Sequence, residues 1–144
     1  MLSAEQYLVQ LQELDVKINQ DMERLMEMRV DVSHPNGIDY SKDRVQSSGG
    51  DCGLEDMVIR YTRMSERINR EIDQFFDAKE QIIKEIRSLH DVNYIQVLYK
   101  MYVQYKSVKV IASEMDISQR SVWTIQREAL EQFSAMYGEL EYLT

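Results

Sequence analysis

The chain has 144 residues, 44% hydrophobic and 29% charged, with a formal net charge of −8. That length suits one ordinary domain or two small ones, and the composition excludes a largely disordered chain. With one Pro and five Gly, four of them between Gly37 and Gly53, long runs of Leu, Met, Glu, Gln, Lys and Arg remain, residues that lose little rotamer freedom in a helix, so the expected fold class is all-α.

The first predicted helix starts at Ser3. Ser3 and Gln6 form an S-x-x-Q capping box, and Leu2 and Tyr7 are placed for a hydrophobic staple. Ala4, Leu11, Ile18, Leu25 and Val32 recur every seven residues; Tyr7, Leu14 and Met28 fill companion positions, and Asp21 is the one break. This is the pattern of a coiled-coil seam. The opening "MLSAEQYLVQ" has no basic stretch and no apolar core, so it does not read as a signal peptide.

"SHPNGIDYSKDRVQSSGGDCG" (Ser33–Gly53) follows as a linker, because its Gly, Ser, Asp, Asn and Pro do not continue a helix. A linker of about 20 residues points to flexibility or to a function. Within it, "DRVQSS" (Asp43–Ser48) reads as a loop that docks Val45 onto the helices, in preference to a phosphate-contacting segment.

In the second predicted helix, Leu54, Tyr61, Ile68, Phe75, Ile82 and Leu89 are spaced by seven without a miss, and Val58, Ile72 and Ile86 add a neighbouring stripe. At ~1.5 Å per residue such a helix reaches roughly 50 Å. Its stripe needs a partner: the first helix folded back as an antiparallel hairpin, a second chain, or both. A third segment starts near Ser88–Asn93, where Tyr94, Val97, Leu98, Met101, Tyr102 and Tyr105 give a wide apolar face. His90 beside Asp91 reads as a helix boundary.

"VKVIASEMDISQRSVWTIQREAL" (Val108–Leu130) has the form of a helix-turn-helix. Val108, Ile111, Ala112 and Met115 mark its first helix, and the small Ala112 suits a close crossing. Asp116 takes a turn position that is usually left-handed, Ile117 is expected to be buried in the turn, and Ser118 is a good N-cap. Val122, Ile125 and Ala129 form the inward stripe of the second helix. The positions left pointing outward are Gln119, Arg120, Ser121, Trp123, Thr124, Gln126 and Arg127. Arg can grip guanine, Gln can pair with adenine, and Ser or Thr can meet bases or phosphate. Trp123 either contacts a thymine methyl or a sugar, or packs against the preceding helix. The candidate DNA-binding residues are Lys106, Lys109, Ser118, Gln119, Arg120, Ser121, Trp123, Thr124 and Arg127, on a recognition helix of about 119–133.

At these residues the sequence resembles region 4 of the sigma-70 family: "IASEM", "ISQRSV" and "REAL" follow its pattern, with Asp116 where Gly is usual. Over the whole chain, "DRVQSS" and the C-terminal segment resemble small phage and prophage proteins of the ArpU/RinA type of late-gene transcription regulators. The resemblance implies sequence-specific DNA binding and transcriptional control of phage or prophage genes. It also makes RNA polymerase a candidate partner.

The charge distribution bears on this reading. Residues 97–130 carry five basic side chains against three acidic ones, the only basic segment in an acidic chain. That asymmetry fits a DNA-binding unit on a separate scaffold. So small an excess favours two copies acting together, as a homodimer or higher homo-oligomer. The long helices, or a tail whose Phe133, Met136, Tyr137, Leu140 and Leu143 have helical spacing, would join them. The expected architecture is thus a coiled-coil-like antiparallel helical hairpin over 1–89, with a flexible linker 33–53, and a sigma-region-4-like helix-turn-helix domain with a C-terminal helix over 90–144. Alternatives are a small terminase subunit of a phage packaging motor and a polymerase-binding protein without DNA affinity.

Enzymatic chemistry is not expected. There is no Gly-rich phosphate loop and no Ser/His/Asp or Cys/His set. Cys52 is the sole cysteine, so no intrachain disulfide forms, and with the distant His34 and His90 it makes no metal site. No cofactor and no metal are therefore expected. No apolar run approaches the roughly 20 residues that span a bilayer, and a cytoplasmic location is expected.

Overall fold

Ser3 and Gln6 start α1 (Ala4–Ser33) by satisfying each other's backbone. Ser3 N–H donates to Gln6 Oε1 at 3.0 Å and Gln6 N–H donates to Ser3 Oγ at 3.1 Å, the reciprocal bonding expected of a capping box. The computed structural model describes residues 1–33 and 48–143, with side chains over 1–29 and 53–143, and the regular secondary structure among them is all helix, with no strand. α2 (Ser48–Arg87) begins inside the stretch read from sequence as linker. Gly49, Gly50 and Gly53 disfavour helix locally, but lengthening a helix already formed needs no new nucleus. Residues 34–47 lie outside the described residues, and with them Val45 and most of "DRVQSS".

By packing, the chain forms two units: Met1–Asp15 with Gln74–Thr144, and Val16–Asp73. In the first, Tyr7, Leu8 and Leu11 of α1 share one core with Ala78, Ile82 and Ile86 of α2, with Tyr102 and Val103, and with Ala129, Phe133 and Leu140. Tyr7 Oη donates to Glu85 Oε1 at 2.5 Å, while its ring lies 5.8 Å from that of Phe133. Burial, then the Glu85 carboxylate, pushes the Tyr7 hydroxyl far above its ordinary pKa. This start of α1 therefore faces two neighbours, which accounts for the fully buried Leu8, a position outside the seven-residue seam. Since Ile86 and Leu89 lie in one core with Phe133, packing does not separate residues 1–89 from 90–144.

Asp91 caps α3 (Val92–Leu98), its Oδ1 accepting from Asn93 N–H at 2.8 Å. The helix then widens into a π-helical turn, Tyr99–Val103. Tyr105 adopts a left-handed φ of 59°, and Lys106 N–H closes back onto Lys100 C=O at 2.9 Å, a bond that spans the π-helical turn and ends it. Burial, then the Asp15 carboxylate, raises the Tyr105 hydroxyl to about 12. Two further helices follow, α4 (Val108–Met115) and α5 (Gln119–Met136).

No separate C-terminal helix follows α5, and residues 137–143 are not helical. They pair instead with the start of the chain. Leu2 N–H donates to Leu140 C=O at 2.8 Å, and Leu143 N–H donates to Oε1 of the buried Gln10 at 2.9 Å. Gln10 Nε2 in turn donates to Tyr7 C=O at 2.7 Å. The helical spacing of Phe133, Met136, Tyr137, Leu140 and Leu143 thus does not describe one helix. Phe133 and Leu140 are buried in the chain's own core.

In the second unit Ile18, Met64 and Ile68 are buried, whereas Leu54 and Val58, both in the predicted stripes, are 40% and 43% exposed. Asp21, the break in the α1 seam, has a reason: Arg67 Nη2 lies 3.8 Å from its Oδ1, and Glu71 sits beside it. Burial, then the Asp21 carboxylate, raises the Glu71 pKa, while Arg67 and Arg70 pull it down. A carboxyl whose pKa is raised on folding favours the fold when protonated and costs stability as pH rises through its folded value. Glu71→Gln is therefore expected to melt at a higher temperature at pH 7, by on the order of 1 kcal/mol for a partly exposed site. The gain should vanish as pH falls below the carboxylate range. Thermal melts of the two proteins from pH 4 to pH 8 check this.

Candidate nucleic-acid interface

α3, α4 and α5 pack on a small core of their own: Val97, Ile111, Ala112 and Val122 are buried together, with Val108, Met115, Ile117 and Ile125 against them. Ser107 caps α4, its Oγ accepting from Val110 N–H at 3.3 Å. α4 ends on Asp116 in the left-handed conformation, φ 57° and ψ 45°, which a short polar side chain tolerates better than most. Ile117 N–H bonds back to Ala112 C=O at 3.0 Å, and the Ile117 side chain is half-buried rather than enclosed. Ser118 then opens α5 with extended backbone, its Oγ accepting from Ser121 N–H at 3.0 Å. Three residues thus turn the chain between two helices, each started by a serine cap.

α5 buries Val122, Gln126, Ala129 and Phe133 and exposes most of the opposite side. Gln119, Trp123 and Arg127 lie four residues apart and form one row; Arg120 and Thr124 form the row beside it. Gln119, Arg120 and Arg127 are exposed, as is Lys109 on α4. Trp123 is 51% exposed, so the indole is not enclosed against the preceding helix and half of it meets solvent. Thr124 is half-buried and its Oγ1 donates to Arg120 C=O at 3.1 Å. Ser121 is also half-buried, receiving a bond from Ser118 Oγ at 2.9 Å.

Gln126 does not belong to the outward set. It is 8% exposed and its Nε2 donates to the buried Tyr102 hydroxyl at 3.0 Å. The π-helical turn sets Tyr102 opposite this position of α5, a pairing across 24 residues that helical periodicity alone does not reveal. Gln126→Leu keeps the volume and strands the Tyr102 hydroxyl. It is expected to cost about 1–3 kcal/mol in a urea melt.

Lys106, a candidate DNA-binding residue by sequence, is held by Glu114. Lys106 Nζ lies 2.9 Å from Glu114 Oε1, and Lys100 Nζ reaches the same oxygen at 2.7 Å. Hydrogen bonds from Lys100 and then Lys106 hold the Glu114 carboxyl below its ordinary range. One carboxylate thus ties the loop after the π-helical turn to α4. Lys109, Arg120 and Arg127 are the cations of α4 and α5 with no ion-pair partner among the described residues. Among those residues no cluster of His, Cys, Asp and Glu is built to hold a metal ion, and no helix is long and apolar enough to cross a membrane.

No curated protein matches the chain. No solved structure matches it either. The family described as "Protein of unknown function (DUF1492)" matches over residues 32–134, more than half of the chain, and the protein is a member of that family.

Proposed function

We propose that the protein is a sequence-specific DNA-binding regulator of transcription, with α4 and α5 forming a helix-turn-helix whose second helix enters the major groove. The observation that carries this reading is the exposed patch of Gln119, Arg120, Trp123 and Arg127 on the first two turns and the middle of α5. Early residues of a recognition helix meet base edges, and these side chains are suited to read them. The serine-capped turn through Asp116 supports the same reading. So does the resemblance to sigma-70 region 4, while the assignment to phage or prophage genes rests on the whole-chain resemblance to the ArpU/RinA type. On this reading α1 and α2 form the antiparallel helical hairpin that carries the motif.

With Lys100 and Lys106 engaged by Glu114, one copy brings Lys109, Arg120 and Arg127 to the phosphates and bases. If all three neutralised phosphates the slope of log K against log salt would be about −3, the steepest one copy can give, and two copies would reach about twice that. The measured slope therefore separates monomer from dimer binding. The decisive test is selection of binding sites from a random duplex library, comparing the wild type with an Arg120→Ala, Arg127→Ala double variant. An enriched site that the variant fails to select is expected. No enrichment at low salt would overturn the proposal and turn attention to RNA polymerase or a packaging motor as the partner.

A further inference from the structure

Trp123 is the only tryptophan of the chain, and the fold leaves it half in water. On the same three helices Val97, Ile111 and Val122 are fully buried, whereas Val92 and Val110 share the exposure of Trp123 without its large aromatic ring. Exposing an indole forgoes the roughly 25 cal/mol per Å² that its apolar surface would gain from burial, and nothing in the core of α3, α4 and α5 draws on it. The ring has one polar group, a single N–H donor, so it cannot replace Arg or Gln in bidentate base recognition.

Its place in the patch narrows what it touches. Gln119 lies one turn before it, Arg127 one turn after it, and Arg120 and Thr124 flank it on the next row. Polar and charged groups that suit phosphates and guanine edges therefore bracket the ring along the helix and flank it on one side, with the buried Val122 and Gln126 on the other, and the ring lies midway along its row. In a helix laid in the major groove, the middle of the exposed patch meets the groove floor and its margins meet the backbone. On that floor one base presents an apolar group, the 5-methyl of thymine.

We propose that Trp123 is a specificity-determining residue that packs on a thymine methyl group and so demands an A·T pair at one position of the site. The inference rests on the DNA-binding reading above and commits it to a particular base. The test uses the site selected by the full-length wild type. Each thymine in turn is replaced by deoxyuridine, which removes only the methyl, and affinities are measured for the wild type and Trp123→Ala. At one thymine the loss of the methyl should weaken the wild type about fourfold, the scale of one buried carbon group. The same replacement should leave Trp123→Ala unchanged, because the partner of that methyl is already gone. Emission from Trp123 should also be quenched or blue-shifted on saturation with the selected duplex. Since the side chain is exposed, the variant should keep the wild-type circular dichroism spectrum. A selected site at which deoxyuridine costs nothing, or costs both proteins equally, would overturn this inference and leave the DNA-binding reading standing. Failure of the wild type to select any site would overturn both.

Discussion

Phe133→Ala is expected to destabilise the protein by about 3–5 kcal/mol, the range for emptying a fully enclosed aromatic site. Phe133 has no exposed surface, and its ring centroid lies 5.8 Å from Tyr7 and 5.0 Å from Tyr137. It thus joins α5 both to the start of the chain and to the segment that follows the helix. Against a total stability of about 5–15 kcal/mol for an ordinary domain, this loss is a large fraction, visible as a shift of the urea midpoint. Phe133→Leu, which keeps most of the volume, should cost less. The substitution leaves Gln119, Arg120, Trp123 and Arg127 in place. Any change in DNA affinity measured well below the melting temperature should therefore be small and without a change of preferred site. A cost under about 1 kcal/mol would mean that α5 and α1 do not share a core.

Removing residues 138–144 is expected to cost about 2–4 kcal/mol. Burial of Leu140 accounts for some 1.5–3 kcal/mol of this, and the remainder comes from Gln10 Oε1, which loses the Leu143 N–H it accepts. A buried acceptor left without a donor costs on the order of 1 kcal/mol or more. The mass in sedimentation should not change, because the residues removed pair with Leu2 and Gln10 of their own chain. A truncated protein that keeps its stability but falls from a larger species to a monomer would contradict that pairing. A tail that bridged two copies would give that second result.

Gln126 and Arg127 are neighbours in sequence with opposite fates, and they separate stability from recognition. Gln126→Leu should lower the urea midpoint and leave the selected DNA site unchanged, since the Gln126 amide is turned to Tyr102. Arg127→Ala should do the reverse.

What the amino-acid sequence determined by itself is local. The capping box of Ser3 and Gln6, the cap at Ser118, the left-handed Asp116 and the inward stripe of Val122 and Ala129 all follow from residues within seven positions of each other, two helical turns. Backbone hydrogen bonding and helical periodicity act over that range, so propensity and spacing suffice to read them. The tertiary structure decided everything that depends on a distant partner. Gln126 turns inward because Tyr102 waits there, Lys106 is tied because Glu114 lies across the loop, and Leu8 is buried because α1 has two neighbours. Residues 137–143 leave the helical pattern because Leu2 and Gln10 offer them bonds. The half-exposure of Trp123 belongs to the same class: helical spacing does not say how much of the indole is covered, and the packing of α3, α4 and α5 sets it.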